Sequence, residues 1–342
     1  MRSREDYPID FVVTWVDGSD EDWIAQKNKY LVKNTASVDV RKRRYRDWNI
    51  FMYWFRGVEK YAPWVNHVYL VTSGHYPKWL DLTNPKLSLI THDVIFDEKY
   101  LPTFNNCAIE LLMHKIPGLS EHFVYFNDDL FLTAPTEPSD FFKNGMPRDT
   151  VGFAANPLKV DEHGKGICNI MHTNTILVSR FFDKDEVFRN NRWKFLSPRN
   201  GRDFIKTLTA LSYKAFVGFN EPHTANSFLK STFEDMWTRA PEEMEQTVSL
   251  RFRGDYSLSQ WGIRYWQICM GNFELRKRHF SRLFEIVNKS DATRAATYIC
   301  SGSRKVLCIN DDVEDDDSLD DIAGIIRNAF SSILPEKSSF EI

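Results

Sequence analysis

Residues 123–129 read Phe-Val-Tyr-Phe-Asn-Asp-Asp. Four apolar residues without interruption suit a strand buried on both faces, and the polar triplet marks where it stops. Three earlier runs share that character. Ile9 to Val16 (IDFVVTWV) stops at Asp17-Gly18, His67 to Thr72 (HVYLVT) closes at Ser73-Gly74, and Leu87 to Thr91 follows. Helical patterns lie between them: Trp48 to Tyr61, halted by Pro63, and Asn105 to Lys115, ending at Pro117-Gly118. Strands alternating with helices predict an α/β fold with a mostly parallel sheet.

The rest of the chain is less regular. Helices are expected around Asp203 to Phe216 and Asn226 to Trp237, with a Gly-rich turn at Asp161 to Gly166. Near the end, Ile322, Ile325, Ile326, Ala329, Phe330 and Ile333 recur at helical spacing. Ser318 and Asp321 resemble a capping box for that helix, and Pro335 ends it. The preceding acidic run, Asn310 to Asp317, lacks the central Gly and terminal Glu of an EF-hand and reads in its second half as a solvated approach to the helix.

At 342 residues there is material for two lobes or one elaborated domain. The working division is an α/β part over 1–155 and a second part over 156–342 with the C-terminal amphipathic helix, forming one integrated unit. Hydrophobic residues at 42% and charged residues at 27% exclude a disordered chain. A formal net charge of −3 excludes a broadly cationic nucleic-acid binder. Aromatic residues reach 14%, which a bulky core, a sugar-stacking surface or a membrane-interface belt would each explain. No apolar run approaches the roughly 20 residues of a membrane span, and the N-terminus lacks a secretory apolar stretch. Five cysteines with no C-x-x-C pair favour neither a disulfide framework nor a zinc site. The expectation is a cytoplasmic chain with reduced thiols.

In an open α/β sheet, ligands bind beyond the carboxyl ends of the strands. Asp17 and Asp20 follow the first run, and Asn127, Asp128 and Asp129 follow the fourth. Carboxylates there can hold a divalent cation against a diphosphate, as a nucleotide-sugar donor requires; the plain alternative makes them turn formers or helix caps. The basic run Arg41 to Arg46 offers guanidinium forks for phosphate, Arg44 and Arg46 sharing a face if extended, or else a solvated surface. His223, in a turn-like stretch (FNEPHTANS), is a candidate base or else a structural histidine, and Arg253 by itself is equally ambiguous. They matter together only if the fold carries both to the Asp129 end of the sheet.

Several long stretches resemble the Stealth family of capsular-polysaccharide phosphotransferases, which includes the α/β subunit of the animal GlcNAc-1-phosphotransferase. They are Ile9 to Asp20; Arg44 to Asp47 running on through Glu59 to Trp64, Leu101 to Phe104 and Ile116 to Asp129; Asn169 to Asn174 with Pro222-His223 and Phe252-Arg253; and Cys308 to Asp312 with Leu334 to Glu341. The length suits the compact bacterial kind. The resemblance implies a Rossmann-like fold reminiscent of the GT-A glycosyltransferases, with a helical second part completing the cleft. It also implies transfer of a sugar 1-phosphate from a UDP-sugar (UDP-HexNAc or UDP-hexose) to a glycan hydroxyl, with release of UMP. Catalytic positions would be His223, Asp129, Arg253 and Glu110. The donor would meet Asp17, Asp20, Arg44, Arg46 and Asn127, and Mg²⁺ or Mn²⁺ would meet Asp128, Asp129 and Asp17. Where many members carry Leu-Arg-Tyr this chain has Phe51-Met52-Tyr53, so Arg44, Arg46 or Arg56 would have to supply the missing cation. A lipid-linked or polymeric glycan acceptor implies work at the inner membrane face by peripheral contact. The alternatives are a metal-dependent glycosyltransferase that releases UDP and a non-catalytic glycan-binding protein.

Overall fold

The structure, a computed structural model, describes residues 7–31, 46–157, 165–277, 279–315 and 318–342. Arg44 and most of the Asp161 to Gly166 turn lie outside the described residues. The strands are β1 (Ile9–Thr14), β2 (Val68–Thr72), β3 (Leu87–Thr91), β4 (His122–Phe126), β5 (Leu130–Leu132), β6 (Phe142–Lys143), β7 (Met146–Asp149), β8 (Asn226–Leu229), β9 (Glu274–Leu275), β10 (Ser281–Ile286) and β11 (Val306–Asp311).

A five-stranded sheet in the order β3-β2-β1-β4-β8 forms the centre. The pairs β3–β2, β2–β1 and β1–β4 are parallel, and only β8 runs antiparallel, against β4. This is the mostly parallel α/β sheet that the apolar runs predict. Because successive side chains alternate faces, Phe11 and Val13 of β1 and Val124 and Phe126 of β4 enter one core, while Val12, Phe123 and Tyr125 enter the other. The first core is closed by the helices Phe51–Tyr61, Lys289–Ser301 and Leu319–Ile333, the second by Asn106–Leu112, Lys230–Arg239, Pro241–Val248 and Gln260–Cys269. Helices on both faces bury a parallel sheet completely, which explains runs without polar alternation.

The helix Phe51–Tyr61 lays Phe51, Trp54, Phe55 and Val58 into the first core at 3- and 4-residue intervals. Trp15, Trp48, Tyr53 and Trp54 are buried, and Trp64 and Trp79 pack against the same core. Most of the aromatic excess is thus interior mass. Among the described residues, no helix is long and apolar enough to cross a membrane.

Three local readings change. Asn226 to Leu229 is strand rather than helix: its four residues pair with Tyr125 to His122, and the helix starts at Lys230. A four-residue run carries no decisive period, so the exposed edge of β4 decides it. Ser318 does not cap the last helix; its hydroxyl donates to the Asp315 carbonyl instead. The Asp203 to Phe216 helix is shorter, Arg202–Ala210. A second sheet, β10-β11-β5, is joined through β5, which follows the Asn127 to Asp129 turn directly.

Candidate active site

Strand order reverses at β1, whose neighbours β2 and β4 lie on opposite sides, so a crevice opens beyond the carboxyl ends of β1 and β4. Asp17 follows β1 there, and Asn127, Asp128 and Asp129 follow β4. The Leu130 amide donates to the Asn127 carbonyl at 3.1 Å, closing a tight turn that presents the polar triplet at the sheet edge.

Asp129 is held from three directions. The Ile309 amide donates to its carbonyl at 2.8 Å, the Cys308 thiol donates to Oδ2 at 3.1 Å, and His223 Nε2 stands 3.7 Å from the same oxygen. Oδ1 is buried with no hydrogen-bond partner, as is Oδ1 of Asn127. Burial alone would lower the His223 pKa; the Asp129 carboxylate, helped by Glu221 and Glu285, outweighs it and holds the imidazole above its ordinary value. His223 is delivered by the Asn220–Glu221–Pro222 segment. Arg264 anchors that segment, donating to the Asn220 carbonyl at 2.9 Å and to Glu221 Oε1 at 3.1 Å, while two of its nitrogens grip Asp149 at 2.7 and 2.9 Å.

Glu110 and Arg253 form a second charged pair, the Arg253 charge acting on the Glu110 carboxyl. Glu110 is buried at 3% exposure, accepting from the Gln260 amide at 3.0 Å and from the Tyr125 hydroxyl at 3.4 Å. Desolvation pushes its carboxyl up to about 7, against the pull of those donors and of the Arg253 charge. Arg253 is placed by Phe252, whose ring stacks on Phe104 with centroids 5.2 Å apart, and by the Arg251 carbonyl, which accepts from the Phe104 amide at 2.7 Å. Tyr125 connects this pair electrostatically with the β4 end. Having given its one proton to Glu110, it accepts from Thr14 at 2.9 Å, and the charges of Glu110, Asp128 and Asp129 all bear on it.

Asp128 opens toward solvent yet is enclosed by protein on its remaining sides; desolvation and the charges of Asp129 and Asp47 push it up to about 7. Asp47 is itself raised, first by desolvation and also by Asp17. The charges of Asp17, Asp47, Asp128 and Asp129 thus act on one another in sequence, Asp17 on Asp47 and both Asp47 and Asp129 on Asp128. Asp47 carries no local sequence signal of this place, standing at the end of the basic run Arg41 to Arg46 rather than at a strand end. In chemical type these oxygens, and above all the unpartnered Oδ1 atoms of Asn127 and Asp129, suit a hard divalent cation such as Mg²⁺ or Mn²⁺. The Asp129–His223–Cys308 group, whose ligand atoms lie within 4.8 Å of one another, includes a thiol unsuited to those ions.

Other expected residues have structural partners. Asp20 caps the helix Glu21–Tyr30, accepting from the Trp23 amide at 2.7 Å. Arg46 pairs with Asp311 at 3.1 Å and donates to the Val313 carbonyl at 3.0 Å. Arg56, the other described substitute for the missing Leu-Arg-Tyr arginine, grips Glu341 at 2.7 and 2.8 Å and the Leu334 carbonyl at 3.1 Å. Asp17 Oδ1 accepts from the Ser19 amide and hydroxyl at 2.8 and 2.6 Å, and its own amide donates to His75 Nε2 at 2.9 Å.

The chain resembles known proteins over nearly its whole length. The signatures of Stealth protein conserved regions 1, 2 and 4 match residues 7–35, 44–149 and 299–342. The receptor polysaccharide phosphotransferase WefC of Streptococcus oralis is 39% identical, covering 98% of this chain and 99% of its own. The exopolysaccharide phosphotransferase cps2G of Lactiplantibacillus plantarum is also 39% identical, over 98% and 96%. The capsular polysaccharide phosphotransferase WcwK of Streptococcus pneumoniae is 37% identical, over 97% and 98%. Among solved structures, the galactosyltransferase LgtC in complex with donor and acceptor sugar analogues aligns over 96% of this chain and 98% of its own, with 9% identity and a TM-score of 0.40. At that distance no chemistry transfers. Near-complete coverage by relatives close to 40% identical, with three family regions in order, establishes that this chain belongs to the Stealth family and is a phosphotransferase.

Proposed function

We propose that the chain transfers a sugar 1-phosphate from a UDP-hexose or UDP-N-acetylhexosamine to a hydroxyl of a growing capsular or surface polysaccharide, releasing UMP. The observation that carries the reading is the His223–Asp129 pair at the carboxyl end of β4, beside carboxylates whose charges act on one another, in a chain whose relatives are named polysaccharide phosphotransferases. His223 takes the proton of the acceptor hydroxyl as its oxygen bonds to the β-phosphorus. The bond from that phosphorus to the oxygen bridging to the α-phosphate breaks, and UMP departs with the bridging oxygen. Asp129 divides its work: Oδ2 supports the imidazole, and Oδ1 remains for the cation. Arg253 balances charge on the phosphoryl oxygens, with Glu110 fixing its approach. Asp17, Asp128 and Asp129 would hold Mg²⁺ or Mn²⁺, which supplies charge neutralisation to the diphosphate. A lipid-linked or polymeric acceptor would bring the enzyme to the cytoplasmic face of the membrane by peripheral contact.

The deciding experiment incubates the protein with a panel of UDP-sugars, glycan acceptor and Mg²⁺ or Mn²⁺ and identifies the nucleotide product. UMP with a new phosphodiester is expected. UDP would overturn the reading in favour of ordinary glycosyl transfer.

A further inference from the structure

A cleft of about 250 Å³ lies against His223, and none of the carboxylates Asp17, Asp47, Asp128 and Asp129 lines it. We propose that this cleft is the acceptor subsite and that it receives a single neutral sugar ring; the inference rests on His223 being the base.

Size is the first argument. Drug-sized ligands occupy pockets of about 300 Å³ and upward, so this space suits one ring and is too small for a nucleoside diphosphate sugar. Chemistry is the second. Thr150, Asp203, Asn220 and Ser281 contribute hydroxyl, carboxylate and amide groups, the mix that matches sugar hydroxyls, and Phe280 contributes an apolar surface. One side of Phe280 is already covered by the Arg276 guanidinium, 4.5 Å from its centroid.

Charge is the third argument, and it selects against anions. Arg282 also lines the cleft, but its guanidinium lies 4.4 Å from the Tyr298 ring centroid and donates to that hydroxyl at 2.5 Å. Asp203 in the wall is paired with Lys206 at 3.2 Å, and Glu285 adds a negative charge that reaches His223. A uronate or phosphorylated sugar would find the cations at this wall already engaged, Arg282 by Tyr298 and Lys206 by Asp203. Rigidity is the fourth: buried Arg264 ties the Thr150 carbonyl at 3.0 Å and the Asn220 carbonyl at 2.9 Å to one guanidinium, so two lining residues and the segment bearing His223 are held together. A subsite built that way presents its hydroxyl to the imidazole without reorganisation.

The test is saturation-transfer NMR on the full chain with methyl β-galactoside, methyl β-glucoside, methyl N-acetylglucosaminide and methyl glucuronide as probes. At least one neutral glycoside should receive saturation, and methyl glucuronide should not. Ser281→Phe, which fills the cleft, and Asn220→Ala, which removes an amide while leaving its backbone bonds, should each weaken the neutral signal at least fivefold. Variants are compared only where their melting temperatures match wild type; the two substitutions come from different elements, so one misfolded variant leaves the other to decide. No transfer to any neutral glycoside, equal transfer to the glucuronide, or unchanged transfer in the folded variants would each overturn the proposal. Glycoside binding does not depend on which nucleotide is released. UDP release with intact cleft binding would therefore sink the phosphotransfer reading alone, and UMP release without cleft binding would sink the subsite alone.

Discussion

Cys308 gives its thiol proton to Oδ2 of Asp129 across 179 residues of sequence, the oxygen that also faces His223. The thiol is fully buried, and desolvation together with Asp129 raises its pKa well above the ordinary value, so it stays protonated and acts as a donor. Replacing it with Val removes that donor and leaves Asp129 Oδ2 a stronger partner for the imidazole. Cys308→Val should lower kcat near neutral pH about fivefold, the equivalent of one hydrogen bond worth about 1 kcal/mol. It should also move the acidic limb of the pH–rate profile upward. Cys308→Ser, which restores a donor, should recover most of the rate. An unmoved limb in Cys308→Val would refute the coupling.

The sign of the pH dependence follows from His223. A base must be neutral to accept the hydroxyl proton, and the surrounding carboxylates raise its pKa above the usual value of about 6.5. Activity should therefore climb as pH rises through that elevated pKa, with the enzyme largely idle at pH 6. His223→Ala should cost on the order of 10²–10⁴ in kcat while leaving the melting temperature within about 2 °C. Initial-rate profiles from pH 5.5 to 9 check both statements.

Asp128 sits in a cluster that repels itself. Its folded pKa, pushed up to about 7, exceeds the unfolded value of about 3.9, so the group costs stability increasingly as pH rises between them. Asp128→Asn should thus melt higher than wild type when no divalent cation is present, with the gap absent near pH 4 and fully open above pH 7. The same change should weaken Mn²⁺ binding at least tenfold. Calorimetric melts in chelator and a Mn²⁺ titration give the two readings, and a variant that melts lower at pH 8 would contradict the account.

The C-terminus is clamped by a pair that the sequence does not advertise. Arg56 and Glu341 are 12% and 4% exposed in their side chains and meet bidentately. Burial would raise the Glu341 pKa, but Arg56 and the Ser338 donors more than reverse it, leaving the carboxyl below its usual value. The stabilisation is present above the unfolded Glu pKa of about 4.3 and is lost as pH falls through the lower folded pKa. Arg56→Ala strands a buried carboxylate and should cost about 3 kcal/mol at pH 7. Denaturant titration of wild type and variant measures it; a cost below about 1 kcal/mol would show the clamp to be ornamental.

The sequence by itself determined the sheet and the end at which chemistry gathers. Phe11 to Val13 of β1 and Phe123 to Phe126 of β4 are apolar at successive positions because both of their faces are buried, and Asp17 and Asn127 to Asp129 must then lie at the carboxyl edge. Such facts are local, spanning a handful of residues each. Only the tertiary structure decided what each polar group does there. Asp20 is used as a helix cap, Arg46 and Arg56 are taken by Asp311 and Glu341, and Asn226 to Leu229 became strand because β4 had an open edge. It also added Asp47 to the acidic cluster and Cys308 and His223 to Asp129. A side chain's charge state and availability depend on the partners folding brings within a few ångströms, and here those partners come from as far as 285 residues away.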